Sequence, residues 1–177
     1  MENIKFSVAI SVYKNDNPDY VDIALKSVTT NQSLKPTEIV LVIDGPISSE
    51  LESVIETHKK AYSGFKTIRF EKNQGLGNAL KTAVENSSYD IIARMDSDDI
   101  SSPERFEKQI GYLKENPDVD IVGGNITEFI GEPQNIVGKR KVPVEHDEIK
   151  SYMKIRCPLN HVTVAFRKDS ILRVGNY

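Results

Sequence analysis

Three carboxylates, Asp96, Asp98 and Asp99, stand within four positions of the stretch YDIIARMDSDDISSPERFEKQ, residues 89–109. A run of mostly apolar, strand-like residues leads directly into them. Like charges at this spacing repel one another, so an ordinary surface turn is rarely built this way. Carboxylate oxygens suit Mg²⁺ or Mn²⁺, which take one or two protein carboxylates and complete their coordination with water and substrate phosphates. The cluster therefore predicts an open divalent-cation site that serves a phosphate-bearing ligand.

A simpler interpretation of the same stretch is a solvated turn that caps the following helix. Ser101 or Ser102 could supply the cap, and Glu104 would favour the helix dipole. A cap needs one acceptor, however, whereas three carboxylates precede this helix. An EF-hand is excluded, because Ile100 stands where that loop needs a ligand and Ser101 where it needs glycine.

The elements that must position these carboxylates alternate along the chain. Buried-strand patterns cover residues 6–13, 37–44, 66–70 and 90–95, and helical patterns cover residues 18–32, 47–62, 75–86 and 102–116. Beyond residue 123, we expect strands within 125–138 and over 162–167, with a short helix near 145–154. Four successive strand–helix units predict an α/β fold, a three-layer α/β/α arrangement around a mostly parallel sheet.

Asp44 and Asp96 both fall at the carboxyl ends of predicted strands, the edge at which such sheets bind ligands. Asp44 could accept hydrogen bonds from a base or ribose, or it could belong to a plain Asp-Gly-Pro turn. Arg94 should point to the same side as Asp96, where it could pair with a carboxylate or reach a diphosphate.

The stretch KNQGLGNALK, residues 72–81, places Gly75 and Gly77 at a strand-to-helix junction. Helix N–H groups there could bind a phosphate or ribose, although a simple turn explains the glycines equally well. The dinucleotide fingerprint GxGxxG is absent, because Leu80 occupies the third glycine position.

Composition restricts the class of protein. With 38% hydrophobic and 28% charged residues, the chain is an ordinary globular protein. A net charge of −3 without a basic stripe argues against nucleic acid as a partner. The single cysteine, Cys157, excludes an internal disulfide and favours a reducing, cytoplasmic setting. No apolar run is long enough to span a membrane, so any membrane attachment of this segment should be peripheral.

Five segments together resemble the family 2 glycosyltransferases, which have the GT-A fold of the nucleotide-diphospho-sugar transferases, a Rossmann-like architecture. They are FSVAISVYKND, EIVLVIDGP, KNQGLGNALKTAV, DIIARMDSDDISSPERFEKQIGYLKENPDVDIVGG and CPLNHVTVAFRKDSILRVGNY. The resemblance implies one GT-A domain over residues 1–177. Residues 1–123 would form the nucleotide-sugar-binding half, and residues 124–177 the start of a truncated acceptor-binding half.

The resemblance also implies an activity. It is the inverting, Mn²⁺- or Mg²⁺-dependent transfer of a sugar from a nucleotide diphosphate donor, a UDP-sugar, to a hydroxyl of a saccharide or lipid-linked saccharide. The expected context is synthesis of bacterial capsule, O-antigen or exopolysaccharide, in the cytoplasm or at the inner face of the plasma membrane. The alternatives are a nucleotide-sugar-binding module without catalysis and a sugar nucleotidyltransferase. The second is disfavoured, because SVYKNDNPDY lacks the glycine-rich loop that holds a triphosphate.

Site residues follow from the resemblance position by position. Asp98 should ligate the metal, with Asp96 and Asp99 in support. His161 and Arg167 should lie on the acceptor side, although an edge histidine and a snorkelling arginine of a plain strand would look the same. The donor-binding residues implied are Ser11, Tyr13, Asp44, Asn73, Gly75, Asn78, Arg94 and Asp96.

Two departures from the family pattern affect these predictions. Leu80-Lys81 stands where many members have Arg-Asn, so a positive charge at that place would have to come from Lys81 or Arg94, or be absent. The family's general base lies beyond the position of Tyr177, and the chain stops there without a closing element. We therefore expect part of a longer protein, assign no catalytic base, and predict that the 177-residue chain binds donor and metal but transfers sugar poorly.

Overall fold

The computed structural model describes residues 4–177 of the chain. Strands and helices alternate as the sequence pattern predicts. In chain order they are β1 (Ser7–Val12), α1 (Pro18–Val28), β2 (Glu38–Ile43), α2 (Ser49–Ala61), β3 (Phe65–Arg69), α3 (Leu76–Asn86), β4 (Ile91–Arg94), α4 (Arg105–Glu115), β5 (Ile121–Val122), β6 (Ile126–Phe129), β7 (Ile136–Arg140), α5 (His146–Tyr152), β8 (Ala165–Arg167) and α6 (Lys168–Arg173).

Six of the strands form one sheet in the order β3-β2-β1-β4-β8-β5. The first four are parallel to one another, and β8 is antiparallel to both β4 and β5, so the sheet is mostly parallel. The chain moves outward from β1 to β3 and then returns to place β4 on the other side of β1. This reversal creates a topological switch point between β1 and β4, where sheets of this type bind ligands.

Helices cover both faces of the sheet, which gives the three layers expected. The alternation of β1 turns Val8, Ile10 and Val12 toward the apolar stripes of α1, α2 and α4, and Phe6, just before the strand, joins the same cluster. Ala9, Val40, Val42 and Ile92 face α3 on the opposite side. The strands are buried on both faces, which explains why they appear in the sequence as continuous apolar runs.

Two helices differ from their predicted bounds in ways that affect the carboxylate loop. Helix α1 ends at Val28, and Gln32 lies beyond it, where its buried amide donates to the Ser102 carbonyl at 2.8 Å. Helix α4 begins only at Arg105, and its N-cap, Glu104, makes no side-chain capping bond. The capping role considered for Ser101 or Ser102 is therefore wrong. Ser101 is instead pinned to α1, with its N–H donating to the Ser27 hydroxyl at 3.0 Å.

The second part of the chain is less regular than the first. The strands expected within 125–138 form an antiparallel hairpin, β6 and β7, separate from the main sheet. The strand expected over 162–167 begins later, because a 3₁₀ turn at His161–Thr163 precedes β8. Among residues 4–177, no helix is both long and apolar enough to cross a membrane.

Candidate functional site

The three carboxylates of the opening motif lie in the loop that follows β4, at the switch point of the sheet. Asp98 is exposed, and Asp96 and Asp99 are half-buried. Burial raises the pKa of Asp99, and the neighbouring charges of Asp96 and Asp98 raise it further, against the opposing effect of Arg94 and Arg105. The loop thus concentrates negative charge where a cation would be favoured.

A fourth carboxylate, Asp16, joins this cluster from the loop after β1. It accepts hydrogen bonds from the Tyr13 N–H and the Ser97 hydroxyl, both at 3.0 Å. Burial raises the pKa of Asp16; these two hydrogen bonds lower it, and the charges of Asp98 and Asp96 raise it. Sequence reasoning did not select Asp16, because its partner Ser97 is 81 residues away and no local motif marks the contact.

Arg94, at the end of β4, forms an ion pair with Asp96 from the interior side of the carboxylate loop. The arginine side chain is only 2% exposed, whereas that of Asp96 is 32% exposed. Of the roles considered for Arg94, the structure supports the pairing with a carboxylate and not contact with a diphosphate, because the guanidinium lies in the protein interior. The pair fixes Asp96 at the edge of the sheet and leaves part of its carboxylate open to ligand.

Arg105 and Gln109 explain the PERFEKQ part of the motif. The Arg105 guanidinium donates to the carbonyl of Arg94 at 2.7 Å and to that of Val164 at 3.3 Å, so it joins α4 to the end of β4 and the start of β8. Gln109 accepts from Arg105 at 2.9 Å and donates to the Thr163 carbonyl at 2.7 Å. Burial, followed by the charge of Arg94, lowers the pKa of Arg105 to about 10, so it is protonated at neutral pH.

Asp44 organises the second part of the site. Its carboxylate is buried and accepts hydrogen bonds from the Asn73 amide at 2.9 Å, the Gln74 N–H at 2.6 Å and the Gly75 N–H at 2.9 Å. These bonds tie the end of β2 to the loop before α3. The aspartate thus does more than form the Asp-Gly-Pro turn considered from the sequence, because it holds the junction that the sequence predicted for phosphate or ribose.

Gly45 makes the close approach of these two loops possible. It has φ of +90°, and a Cβ atom there would lie 2.7 Å from the Asn73 backbone nitrogen. Gly75, the N-cap of α3, also has a positive φ of +89° but faces open space. The first glycine is therefore required by packing, and the second leaves the N-terminus of α3 accessible.

The other residues expected on the donor side lie along the same edge. Ser11 is near the end of β1 and Tyr13 follows it, with 41% of Tyr13 exposed. Asn78, in the first turn of α3, is exposed and donates to the Gln74 carbonyl at 3.0 Å. Leu80 is buried in the core, so this position contributes no charge to the edge.

His161 lies beside the carboxylate loop, and Arg167 does not. Burial lowers the pKa of His161, as does the charge of Arg94, while Asp96 opposes the shift. The imidazole is therefore largely neutral at neutral pH, and its Nε2 atom is 3.0 Å from the Tyr177 hydroxyl. Tyr177 was not selected from the sequence, because this contact depends on how the last helix returns to the sheet.

The structure corrects the placement of Arg167. Strand β8 runs antiparallel to β4, so the chain passes from the ligand-binding edge at Val164 to the opposite edge, where Arg167 pairs with Ile91. There its guanidinium donates to carbonyls at the end of α4, including that of Leu113 at 2.6 Å. Arg167 secures α4 and is not brought together with the other predicted site residues.

The oxygen ligands available for the expected metal come from the carboxylate loop. No group of three His, Cys, Asp or Glu side chains within residues 4–177 is arranged to enclose a metal by itself. Mg²⁺ and Mn²⁺ do not require such a cage when phosphates and water complete the shell. Asp98 is exposed, and Asp96 and Asp99 are partly exposed, so this loop can supply the one or two protein carboxylates that such a cation takes.

Comparison with known proteins identifies the family. The sequence matches the family described as Glycosyl transferase family 2 over residues 7–175. The chain belongs to glycosyl transferase family 2. This family 2 domain also has named relatives of similar sequence along almost its whole length. The amylovoran biosynthesis glycosyltransferase AmsE of Erwinia amylovora is 38% identical over 172 residues, which cover 97% of this chain and 63% of that protein.

A second relative is the UDP-Gal:alpha-D-GlcNAc-diphosphoundecaprenol beta-1,3-galactosyltransferase of Escherichia coli. It is 39% identical over 173 residues, covering 98% of this chain and 62% of that protein. A glycosyltransferase of Haemophilus influenzae is 38% identical over 174 residues, covering 98% and 64%. The family 2 domain described here thus spans a little over three fifths of the length of these curated relatives.

Solved structures agree on the fold. Residues 1–349 of S. aureus TarS superpose with a TM-score of 0.71 at 20% identity, covering 97% of this chain and 49% of that one. The mannosyltransferase PcManGT of Pyrobaculum calidifontis, solved with GDP-Man and Mn²⁺, gives a TM-score of 0.69 at 16% identity, covering 97% and 47%. The family 2 domain has the GT-A fold.

Proposed function

We propose that this chain binds a nucleotide-diphospho-sugar, specifically a UDP-sugar, together with a divalent cation, and forms the donor side of a glycosyltransferase. The reaction is transfer of the sugar, with inversion, to an acceptor hydroxyl. Family membership supports the reaction class, and the name of the Escherichia coli relative specifies UDP-Gal as its donor. A structure of TarS in complex with UDP, at a TM-score of 0.66, supports a uridine nucleotide on this fold.

One observation carries the proposal. The carboxylate loop after β4 and the Asp44-anchored junction before α3 lie on the same edge of the sheet, on either side of the end of β1. A nucleoside diphosphate has two parts of different chemistry, a base with ribose and a diphosphate that binds a cation. The two parts of the edge match them in order, with Asp44 on the nucleoside side and Asp98 on the diphosphate side.

The protein groups have distinct tasks in this proposal. Ser11 and Tyr13 line the nucleotide pocket, and Asp44, with Asn73, Gly75 and Asn78, forms its nucleoside side. The N–H groups of the first turn of α3, which no side-chain cap occupies, favour ribose hydroxyls or phosphate oxygens.

Asp98 holds the cation, Mn²⁺ or Mg²⁺, with Asp96 and Asp99 beside it. Arg94 keeps the Asp96 carboxylate in place from the interior. When bound, the cation neutralises the diphosphate and stabilises the departing nucleotide.

The acceptor approaches from the side of His161. A neutral imidazole there can accept or donate a hydrogen bond with a sugar hydroxyl. The names of the relatives, which include amylovoran synthesis and a diphosphoundecaprenol-linked substrate, support a saccharide or lipid-linked saccharide as acceptor. We place the enzyme in bacterial surface polysaccharide synthesis, in the cytoplasm or peripherally at the inner face of the plasma membrane.

A second candidate is a nucleotide-sugar-binding module without catalysis. It is favoured by the positions of the second-half carboxylates among residues 4–177. Asp147 lines a groove beside α5, and Asp169 follows Arg167 at the opposite edge of the sheet. Neither carboxylate acts on the pKa of His161, where the acceptor is proposed to lie, and a base must come within hydrogen-bond reach of the acceptor hydroxyl.

A thermal-shift panel tests the proposal directly. Nucleoside diphosphates and nucleotide sugars are compared, each with and without Mn²⁺. A ligand at about 100 times its dissociation constant should stabilise the fold by ~2.7 kcal/mol. We expect the largest shift for uridine nucleotides with Mn²⁺; equal shifts for all bases, or no effect of Mn²⁺, would contradict the assignment.

A further inference from the structure

The surface formed by residues 136–156 differs from the rest of the molecule in charge. It runs from β7 through α5 to the turn that follows α5. Although the whole chain carries a net charge of −3, this segment has six basic and three acidic side chains. The acidic side chains, Glu145, Asp147 and Glu148, gather at the N-terminus of α5, where the helix dipole favours them. The basic side chains flank that helix: Lys139, Arg140, Lys141, Lys150, Lys154 and Arg156.

These six basic side chains differ from those of the main sheet in their ion pairing. None of the six pairs with a carboxylate among residues 4–177. By contrast, Lys66 and Arg69 of β3 pair with Glu38 of β2 and Glu52 of α2. The unpaired charges of residues 136–156 are therefore available to an anionic partner.

Large aliphatic side chains are exposed in the same segment. Ile155 is 89% exposed, Val144 79% and Met153 63%. Ile136 and Val137 on β7 are more than half exposed as well. Helix α5 has no buried residue, although its Ile149 and Tyr152 are half-buried. Exposed apolar side chains in a group mark an interaction surface.

We propose that residues 136–156 form a membrane-docking surface that binds bilayers rich in anionic headgroups. Lysine and arginine side chains close to such a bilayer are attracted by its negative surface potential. Aliphatic side chains beside them gain free energy by entering the boundary between headgroups and acyl chains. A soluble polyanion would use the charges but gain nothing from Val144, Met153 and Ile155, so the combination favours a membrane.

The segment 136–156 lies close in sequence to His161, on the proposed acceptor side. Four residues separate Arg156 from His161, and within them Pro158 and Asn160 are buried. The Asn160 amide donates to the Gly124 carbonyl at 2.9 Å, which fixes the segment to the body of the protein. A surface held on a bilayer would keep His161 near lipid-linked saccharides. This role rests on the proposed function, whereas the docking itself is tested without any nucleotide.

The test is co-sedimentation of the 177-residue chain with vesicles. Vesicles of equal parts phosphatidylglycerol and phosphatidylcholine are compared with vesicles of phosphatidylcholine alone, at about 0.1 M salt and at several times that concentration. We expect binding to the anionic vesicles only, and loss of that binding at high salt. No sedimentation with anionic vesicles would overturn the proposal.

Matched variants locate the binding. The triple variant Lys139→Gln/Arg140→Gln/Lys141→Gln should lower the partition coefficient at least about tenfold, because three positive charges leave the segment. The control, Lys5→Gln/Lys35→Gln/Lys60→Gln, removes the same charge from exposed lysines elsewhere and should change it less than about threefold. Equal losses in both would overturn the proposal. If the first triple variant fails to fold by circular dichroism, Lys150→Gln/Lys154→Gln/Arg156→Gln takes its place.

The variant Ile155→Ser distinguishes binding to a bilayer from binding to a soluble polyanion. It should weaken vesicle binding about threefold or more, since an aliphatic side chain leaves the interface, while binding to dextran sulfate stays unchanged. Vesicle binding that is insensitive to Ile155→Ser, with equally strong binding to dextran sulfate, would assign the surface to an acidic polymer and contradict the proposal. Asp98→Ala should leave vesicle binding intact, so failure of this inference is distinguishable from failure of the donor site.

Discussion

Asp44 and Gly75 lie 31 residues apart in the chain, yet the Asp44 carboxylate accepts a hydrogen bond from the Gly75 N–H at 2.9 Å. This bond joins the end of β2 to the first turn of α3, across the edge where the nucleoside is proposed to bind. The geometry of that edge thus depends on one buried carboxylate as much as on residues that face the ligand.

Replacing Asp44 should therefore affect both the fold and the ligand. Asp44→Ala removes the acceptor of three hydrogen bonds and should lower the free energy of unfolding by about 1–3 kcal/mol. It should also weaken binding of uridine nucleotides even without metal, as measured by calorimetric titration. Asp118→Ala, at an exposed position, is the control. Unchanged nucleotide affinity would assign Asp44 to the turn alone.

Gly45 should tolerate no side chain. Gly45→Ala places a Cβ atom about 2.7 Å from the Asn73 nitrogen and forces alanine into a positive φ. We expect a loss of at least ~1 kcal/mol of stability, measured by urea unfolding. Gly77→Ala is the matched control within a helix, where a Cβ atom meets nothing within 4 Å. Equal stability of the two variants would show that the contact between the loops is not tight.

Glu38 should make stability depend on pH at a place far from the site. Burial alone would raise the pKa of Glu38, but hydrogen bonds from Ser88, Ser7 and Lys66 outweigh it and lower the pKa below its ordinary value of 4.5. The charged form therefore stabilises the fold above about pH 4.5, and this contribution is lost as the pH falls through the lowered pKa. Glu38→Gln should cost about 1–3 kcal/mol at pH 7, and the difference from the parent chain should shrink at low pH.

The control for Glu38 is Glu56→Gln, which changes an exposed pair with Lys59. Urea unfolding at neutral and acid pH measures both variants. A constant difference between Glu38→Gln and the parent chain at all pH values would contradict the assignment. Since Glu38 lies at the opposite end of β2 from Asp44, nucleotide affinity should not change.

Transfer should be slow in the 177-residue chain even when the donor binds. Among residues 4–177, the carboxylate that acts on His161 is Asp96, on the proposed metal side, and none from the second part of the chain does, so we expect no carboxylate base for the acceptor proton. The measurement is release of UDP from UDP-sugars with a saccharide acceptor, under conditions where titration shows a bound donor. Rapid transfer by this chain would show that a base is present and would exclude the binding-module alternative.

The fold was largely predictable because its strands are buried on both faces. The runs at 6–13 and 37–44 are continuous and apolar, and the helices between them have clear stripes, so the order of elements and the edge carrying Asp44 and Asp96 followed. The sequence did not predict the direction of β8 or the contacts between residues far apart in the chain. Nothing local indicates that β8 enters the sheet antiparallel, which reverses the side on which Arg167 emerges.

Long-range contacts within the site were missed for the same reason. Asp16 meets Ser97 across 81 residues, and Arg105 meets the Val164 carbonyl across 59. Each residue has an unremarkable sequence context, so only the folded arrangement brings it to the carboxylate loop. The DSDD motif located the site, whereas the residues that hold the loop in place had to be found in the structure.

The most direct test of the donor site is calorimetric titration of UDP in the presence of Mn²⁺. Asp98 is exposed in a loop, so Asp98→Ala should leave the free energy of unfolding unchanged. It should nevertheless weaken Mn²⁺-dependent UDP binding at least about tenfold, or ~1.4 kcal/mol, while Asp118→Ala should not. Equal UDP affinity of the parent chain and Asp98→Ala with Mn²⁺ present would contradict the account.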